Sequence, residues 1–238
     1  MTHRFFYEGS LDDALLQLDG SEAHHLLHVL RMKVGDEVLL FNGTGIEAEG
    51  QIEKTGRKTV DIKVVRRHEI EAETQVPLIL ATAVPKGDRF RWLVEKAAEL
   101  GVTRLVPLTT ERSSVDPGEN RLKKLQQTIV SAAKQSGQIR LMELAPLQAL
   151  SDFLQEIDPA EQQLLIADPQ GAAWTELNLS GSEASAAGVV ILIGPEGGFS
   201  AEEVQAAEDA GAQAVQINAG ILRIETAALL MAGLVRLP

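Results

Sequence analysis

Three segments combine glycine with charged residues where an apolar strand is expected to end. In the first, Val189 to Glu203, an apolar strand enters a loop with three glycines, and Ser200 and Glu203 then have the spacing of a capping box. Glycine lets a ligand approach the backbone, and the following helix offers free N–H groups. The loop lacks the Walker and dinucleotide-binding patterns, so a nucleotide phosphate is not the favoured ligand. The alternative is a tight turn without a ligand.

The second segment, Gln216 to Ala228, also leads from a strand into a helix. Arg223 and Glu225 lie at the start of that helix, and Arg223 is one of only two basic residues after Arg140. An isolated arginine in an acidic region is either a structural ion-pair partner or a group that binds an anion. Glu225 has a simpler alternative role, which is to complement the helix dipole.

The third segment, Ala83 to Lys96, contains the densest group of basic residues in the second predicted domain. Lys86, Arg89 and Arg91 precede or begin a helix there. With Arg112 and the basic residues at 121–124 they are candidates for phosphate contacts. The alternative is an ordinary solvated helix face with intrahelical ion pairs.

Metal and thiol chemistry receive little support. His24 and His28 have helical spacing, but no carboxylate stands at a further ligand spacing and the zincin motif is missing, so we expect no metal. The chain has no cysteine, which excludes disulfides, cysteine-ligated zinc and a thiolate nucleophile. The Gly-x-Ser-x-Gly elbow of hydrolases is also absent.

The net charge of -12 is unevenly distributed. Residues 1–70 carry a net charge of -3, residues 71–150 carry +2 and residues 151–238 carry -11. An acidic protein is at first sight a poor partner for nucleic acid, yet the first 150 residues are almost neutral. The longest apolar run, Ala186 to Gly194, is about half the ~18 residues of a membrane span, and no signal peptide is evident. We therefore expect a cytoplasmic protein without membrane association.

The elements that position these segments fall into two predicted domains, residues 1–70 and 71–238. The first alternates short strands with turns, including the hairpin signal Asn42-Gly43, and contains a helix over 21–31 with Ser21 as its cap. A small β-barrel with one helix is the expected product.

From residue 76 onward, apolar strands alternate with helices, which indicates a parallel sheet covered on both faces. Ligands of such sheets bind beyond the carboxyl ends of the strands. We expect strands at 77–84, 105–108, 141–144, 164–167, 189–193 and 214–217, and helices at 88–100, 119–136 and 224–235.

Five motifs of this second region, in this order, resemble the RsmE family of 16S ribosomal RNA uracil-N3 methyltransferases, in the SPOUT superfamily. They are Lys86-Gly87-Asp88-Arg89 with Glu95-Lys96-Ala97, Thr110-Glu111-Arg112-Ser113, Gln135-Ser136-Gly137, Gly194-Pro195-Glu196-Gly197-Gly198-Phe199-Ser200, and Ile221-Leu222-Arg223 with Glu225-Thr226-Ala227. The N-terminal His24-His25-Leu26, His28-Val29-Leu30-Arg31 and Val34-Gly35-Asp36 are similar to that family's RNA-binding domain.

The resemblance implies a PUA-like barrel followed by a SPOUT-type parallel α/β sheet with a deep C-terminal trefoil knot. It implies a homodimer that binds S-adenosylmethionine and methylates 16S ribosomal RNA within the small subunit. The absence of cysteine excludes thiolate-assisted C5 methylation of pyrimidines, whereas attack by a ring nitrogen on the sulfonium methyl needs no covalent intermediate.

The resemblance also implies roles for individual residues. The catalytic roles are a mechanistic hypothesis: Arg223 stabilises charge on the uracil or orients a phosphate, and Glu196 or Glu225 positions the base or accepts its proton. The implied cofactor contacts are Leu192, Gly194, Pro195, Gly197, Gly198, Ile217, Asn218, Ile221, Leu222 and Thr226. The implied RNA contacts are His25, Arg31, Lys86, Arg89, Arg112 and Gln135.

Three positions depart from the family's usual pattern. The family commonly has glycine at Asn218 and arginine at Gly220 and Gln138. Asparagine tolerates the left-handed conformation that a glycine would supply. The two missing arginines leave Arg223 and Arg112 as the expected anion binders. They also keep two alternatives open: a non-catalytic RNA-binding or ribosome-assembly factor with the same fold, and a SPOUT ribose 2′-O-methyltransferase.

Overall fold

The computed structural model describes residues 3–69, 76–176 and 188–236. The chain forms two compact units. The first comprises Met1–Gln75 with Ala133–Leu141, and the second comprises Val76–Ala132 with Met142–Pro238. The predicted domain boundary at residues 70–71 lies outside the described residues, and residues 133–141 extend the first unit beyond the predicted range.

The first unit is a five-stranded sheet. Its strands are β1 (His3–Phe6), β2 (Leu15–Leu18), β3 (Glu37–Phe41), β4 (Ile46–Thr55) and β5 (Val60–Glu69), in the order β1-β3-β4-β5-β2. β1 runs parallel to β3 and the other pairs are antiparallel. The predicted hairpin connects β3 and β4 through residues 42–45, where Gly43 and Gly45 have positive φ. Phe5, Leu40 and Ile62 are fully buried in its core.

The helical segment between β2 and β3 differs from the prediction. A short α-helix, α1 (Gly20–His24), continues as a π-helix over His25–Val29. The helix begins at Gly20, one residue before the serine, and its N-cap is therefore Asp19 rather than Ser21. π-Helices are rare and often mark functional sites.

Residues 133–141 are held in the first unit by polar contacts. The Lys134 ammonium donates to both carboxylate oxygens of Glu22, at 2.7 and 2.8 Å. Arg4 donates to the backbone oxygen of Ala133 at 3.0 Å and pairs with Glu47 at 2.7 Å. Burial lowers the pKa of Arg4, and the neighbouring Glu47 carboxylate opposes that shift.

The second unit contains a wholly parallel sheet. Its strands are β6 (Leu78–Ala83), β7 (Arg104–Thr109), β8 (Glu143–Leu144), β9 (Gln148–Ala149), β10 (Gln162–Ala173), β11 (Gly188–Ile193) and β12 (Gln213–Gln216). The order is β12-β10-β11-β6-β7-β8, and β9 also pairs with β7. Every residue of β11 is buried, as expected for a central strand covered on both faces.

The helices of this sheet and its connections are α2 (Arg89–Glu99), α3 (Glu119–Ser136), α4 (Leu150–Leu154), α5 (Ala201–Asp209) and α6 (Ile224–Arg236), with a 3₁₀ turn at Trp174–Glu176. The α3 bounds agree with the prediction, while α4 and the 3₁₀ turn were not predicted. Among the described residues, no helix is long and apolar enough to cross a membrane. Nor does that part of the chain hold a group of three or more side chains suited to bind a metal ion.

Candidate active site

A cavity of about 260 Å³ lies at the carboxyl ends of three adjacent strands, β10, β11 and β12. A segment within β10, the segments that follow β11 and β12, and the start of α6 form its walls. The lining residues are Ala167, Asp168, Pro169, Ile193, Gly194, Pro195, Glu196, Gly197, Gly198, Phe199, Val215, Gln216, Ile217, Asn218, Gly220, Ile221, Leu222, Ile224 and Ala227. This is the edge of a parallel sheet where ligands are expected to bind.

The glycine-rich loop after β11 forms one wall and has a fixed shape. Gly198 has a φ of +71°, a conformation that favours glycine. A Cβ atom on Gly194 would lie 3.0 Å from the Phe199 ring, so this position admits no side chain without displacing the ring. The loop ends in the predicted capping box: the Ser200 N–H donates to Glu203 at 2.9 Å, and the Glu203 N–H donates to Ser200 Oγ at 3.3 Å.

A turn at residues 110–113 braces that loop from outside. The Arg112 guanidinium donates to the backbone oxygens of Gly197, at 2.8 Å, and Phe199, at 3.3 Å. The second oxygen of the Glu203 carboxylate accepts from the Glu111 N–H at 2.7 Å. Arg112, which the resemblance assigned to RNA, therefore contacts the loop that lines the cavity.

The segment between β12 and α6 forms the opposite wall. The Asn218 side-chain amide donates to the Gly220 backbone oxygen at 3.2 Å. Asn218 does not have a positive φ, so the backbone here does not call on the tolerance of asparagine for the left-handed conformation. At Gly220 an added Cβ atom would meet only the Asn218 amide nitrogen, at 3.4 Å, which is an ordinary contact distance.

A charged cluster is formed by Arg89 and two glutamates. The Arg89 guanidinium lies 3.6 Å from Glu225 Oε1 and 3.8 Å from Glu196 Oε1, while its Nε donates to the Lys86 backbone oxygen at 3.2 Å. Glu225 is buried, with 5% of its surface exposed, and its Oε2 has no hydrogen-bond partner among the described residues. A buried, unpartnered carboxylate oxygen is uncommon and is a candidate for a functional group.

Eight of the ten predicted cofactor contacts line the cavity: Gly194, Pro195, Gly197, Gly198, Ile217, Asn218, Ile221 and Leu222. Leu192 does not, because it is fully buried within β11. Thr226 does not, because it lies on the exposed side of the first turn of α6. Sequence reasoning missed Asp168, Pro169 and Phe199; an Asp-Pro pair directly after an apolar strand was the available signal.

The other predicted site residues are dispersed. Of the catalytic candidates, Glu196 lines the cavity, and the exposed Arg223 side chain has no polar partner within the described residues. Lys86 is exposed before α2, and Gln135 is exposed in the α3 residues that belong to the first unit. In the same unit, His25 packs edge-on against Phe5, and the exposed Arg31 has a φ of +56°.

The parallel sheet and the cavity at its carboxyl edge define an α/β domain that binds a small molecule. A sequence model of the RNA methyltransferase domain matches residues 72–236, and one of the RNA methyltransferase PUA domain matches residues 18–65. The chain therefore belongs to the RNA methyltransferase family that these two domains define.

Relatives cover nearly the whole chain. Ribosomal RNA small subunit methyltransferase E of Bacillus subtilis is 26% identical over 219 residues, 89% of this chain and 86% of that protein. A Legionella pneumophila protein named as a methyltransferase and solved with bound SAM is 30% identical, with a TM-score of 0.87 over 99% of this chain and 97% of that one. The Neisseria gonorrhoeae methyltransferase E bound to S-adenosyl methionine is 27% identical, with a TM-score of 0.86 over 98% and 96%.

These findings confirm the family resemblance and the fold class, a parallel α/β sheet preceded by a PUA-like domain. The trefoil knot, the domain limits and the roles of individual residues stay predictions.

Proposed function

We propose that this chain transfers a methyl group from S-adenosylmethionine to N3 of one uridine in 16S ribosomal RNA of the small subunit, acting in the cytoplasm as a homodimer. The observation that carries the proposal is the glycine-walled cavity at the carboxyl ends of β10, β11 and β12, in a chain of the RNA methyltransferase family. The relatives named for small-subunit RNA methylation supply the substrate class.

The cavity walls fit S-adenosylmethionine chemically. Apolar residues such as Ile193, Ile217 and Leu222 suit the adenosine, and the backbone of the glycine loop offers polar groups without side chains in the way. Two carboxylates, Asp168 and Glu196, suit a cationic ligand. When bound, this cofactor supplies a methyl group whose bond to sulfur breaks as its bond to uracil N3 forms.

Glu225 is the residue we assign to the proton of N3. Glu225 is not among the residues that line the cavity, but it lies in the first turn of α6 beside the lining residue Ile224, and its buried Oε2 has no hydrogen-bond partner among the described residues. That oxygen is the one we assign to accept a hydrogen bond from N3–H and then the proton. Arg89 lies 3.6 Å from Oε1 of the same carboxylate and so helps to hold the side chain in position. Glu196, exposed at the cavity, positions the base.

RNA contacts are proposed for residues whose cationic or polar groups remain accessible. In the second unit these are Lys86 and Arg223, and in the first unit His25, Arg31 and Gln135, each at least partly exposed. We assign Arg89 and Arg112 mainly to holding the site, because their guanidinium groups contact the glutamates and the glycine loop.

The test is methylation of small ribosomal subunits from a strain that lacks this modification, with isotope-labelled cofactor and mass analysis of the nucleosides. We expect label in 3-methyluridine at one nucleotide. Label in a 2′-O-methyl ribose would replace the base-methylation proposal with ribose methylation. Absence of both cofactor binding by calorimetry and label in RNA would favour a non-catalytic RNA-binding or assembly factor.

A further inference from the structure

Strand β10 carries a bulge at the point where it reaches the cavity. Ala167 and Ala172 both pair with Val215 of β12. The four residues between them, 168–171, therefore have no partner in β12 and form the bulge. Bulges of this kind redirect side chains and are frequent beside functional sites. Here the extruded segment places Asp168 and Pro169 in the cavity wall.

Three contacts fix the shape of the bulge. Gly171 packs so closely on the Ala214 and Val215 backbone that a Cβ atom there would overlap it. The Gln216 side-chain amide donates to the Pro169 backbone oxygen at 2.8 Å. Asp168 Oδ1 accepts from the Gln170 N–H at 2.7 Å, which leaves its second oxygen for another partner. The carboxylate is therefore held in place before any ligand arrives.

Asp168 is also the carboxylate of the cavity wall that no cation neutralises. The residues lining the cavity, all within the described part of the chain, include two carboxylates and no lysine, arginine or histidine. Glu196 has Arg89 at 3.8 Å, whereas Asp168 forms no ion pair with any described residue.

We propose that Asp168 recognises positive charge on the cavity's ligand and so sets its preference for the cofactor. This inference rests on the proposed function. S-adenosylmethionine carries two cationic groups, the sulfonium and the amino-acid ammonium. S-adenosylhomocysteine keeps only the ammonium, and methylthioadenosine has neither. Methyl transfer removes the sulfonium charge. Recognition of the sulfonium by Asp168 would therefore weaken once the methyl group has left, and this would assist product release.

The experiment is titration calorimetry of the whole protein with these three ligands, comparing wild type with Asp168→Asn. Asparagine keeps an oxygen to accept from the Gln170 N–H, so the bulge is preserved while the charge is removed. We expect affinity for S-adenosylmethionine to fall about fivefold, the size of a partly exposed ion pair, and affinity for methylthioadenosine to stay unchanged. The fall should diminish as salt is raised.

S-adenosylhomocysteine identifies the cationic group. An unchanged affinity assigns recognition to the sulfonium, and a similar fivefold fall assigns it to the ammonium. Glu208→Gln is the matched control, because it removes one negative charge from an exposed site on α5 outside the cavity wall. The inference would be overturned if the Asp168→Asn variant lost affinity equally for all three ligands, or if its affinity for none of them changed. If the wild type binds none of the three, the proposed function itself fails.

Discussion

At the scale of residues, the structure changes the role of arginine in this site. Arg89 and Arg112 were both expected to contact RNA, yet Arg89 lies between two glutamates and Arg112 donates to the glycine loop. The sequence shows that a basic residue lies near the site, but it does not show which side chain or backbone group the fold places beside it. The contacts of Arg89 and Arg112 within the site are an addition that the spacing could not predict, and their contacts with RNA stay a prediction.

Glu225 is the residue whose replacement tests the proposed chemistry most directly. Leaving a buried carboxylate oxygen unpartnered costs about 1–3 kcal/mol, which a structural role would not require. We expect Glu225→Gln, which keeps the shape and removes the base, to lower kcat about 100-fold with cofactor affinity unchanged. Single-turnover methylation and calorimetry measure the two quantities.

The control for this prediction is Glu95→Gln on α2, the same substitution at a partly exposed carboxylate that pairs with Lys96. It should change neither rate nor affinity. A Glu225→Gln enzyme with wild-type kcat would exclude Glu225 as the proton acceptor and leave Glu196 as the candidate.

At the scale of elements, the turn at 110–113, the glycine loop and the start of α5 form one hydrogen-bonded assembly. Glu203 is its centre, since one carboxylate oxygen accepts from Ser200 and the other from Glu111. Arg112 completes the connection by donating to Gly197 and Phe199. The loop is therefore fixed at its helical end and along its length.

Removing Glu203 should loosen that assembly. We expect Glu203→Ala to lower the free energy of unfolding by about 1 kcal/mol, the usual value of a helix cap, and to weaken cofactor binding because the loop loses its brace. Glu202→Ala, one residue earlier on the exposed side of α5, should cost less than about 0.5 kcal/mol and leave binding unchanged. Urea unfolding and calorimetry distinguish them; equal effects of the two variants would contradict the bracing role.

The capping box, the strand-loop-helix order and the α3 helix were predictable because local chemistry determines them. The bulge in β10 was not, since it depends on Gly171 meeting the backbone of β12, more than 40 residues later in the chain. The π-helix at His25–Val29 was also not predictable, because its residues have the same apolar spacing as an α-helix. The Asp168-Pro169 pair after an apolar run was a local signal for a segment near the carboxyl edge of the sheet, but its position in the cavity wall depends on the bulge.

At the scale of the whole molecule, the distribution of charge matters more than its total. Residues 151–238 carry -11 of the net -12, and they include most of the cavity wall. This acidity accords with a cationic cofactor and need not oppose RNA, because 20 of the 22 lysines and arginines precede residue 151. Several of those cations are already paired within the protein, which limits the number that can neutralise phosphates.

Lys96 and Lys124 differ in whether their ammonium is paired within the protein, and this difference allows the number of cations that contact phosphates to be measured. The Lys96 ammonium donates hydrogen bonds to the carboxylates of Glu95 and Glu99, and these bonds raise the pKa of Lys96. Lys124 is exposed on α3 and has no ion pair within the described residues. We expect roughly two to four such unpaired cations to contact RNA phosphates, and each contact contributes to the salt dependence of binding. The affinity for random single-stranded RNA should therefore fall only about 10- to 50-fold between 50 and 200 mM salt.

The affinity for random RNA is measured by filter binding across that salt range, for the wild type and for two single variants, one at each lysine. Lys124→Ala should make the slope of log affinity against log salt shallower by about 0.7, the contribution of one phosphate contact on a single strand. Lys96→Ala should leave the slope unchanged, because its charge is already satisfied by Glu95 and Glu99. Tight, salt-resistant binding of random RNA would contradict this account. Such binding would have to come from non-ionic contacts that any RNA can make, and not from the few phosphate contacts and the shape of one ribosomal site.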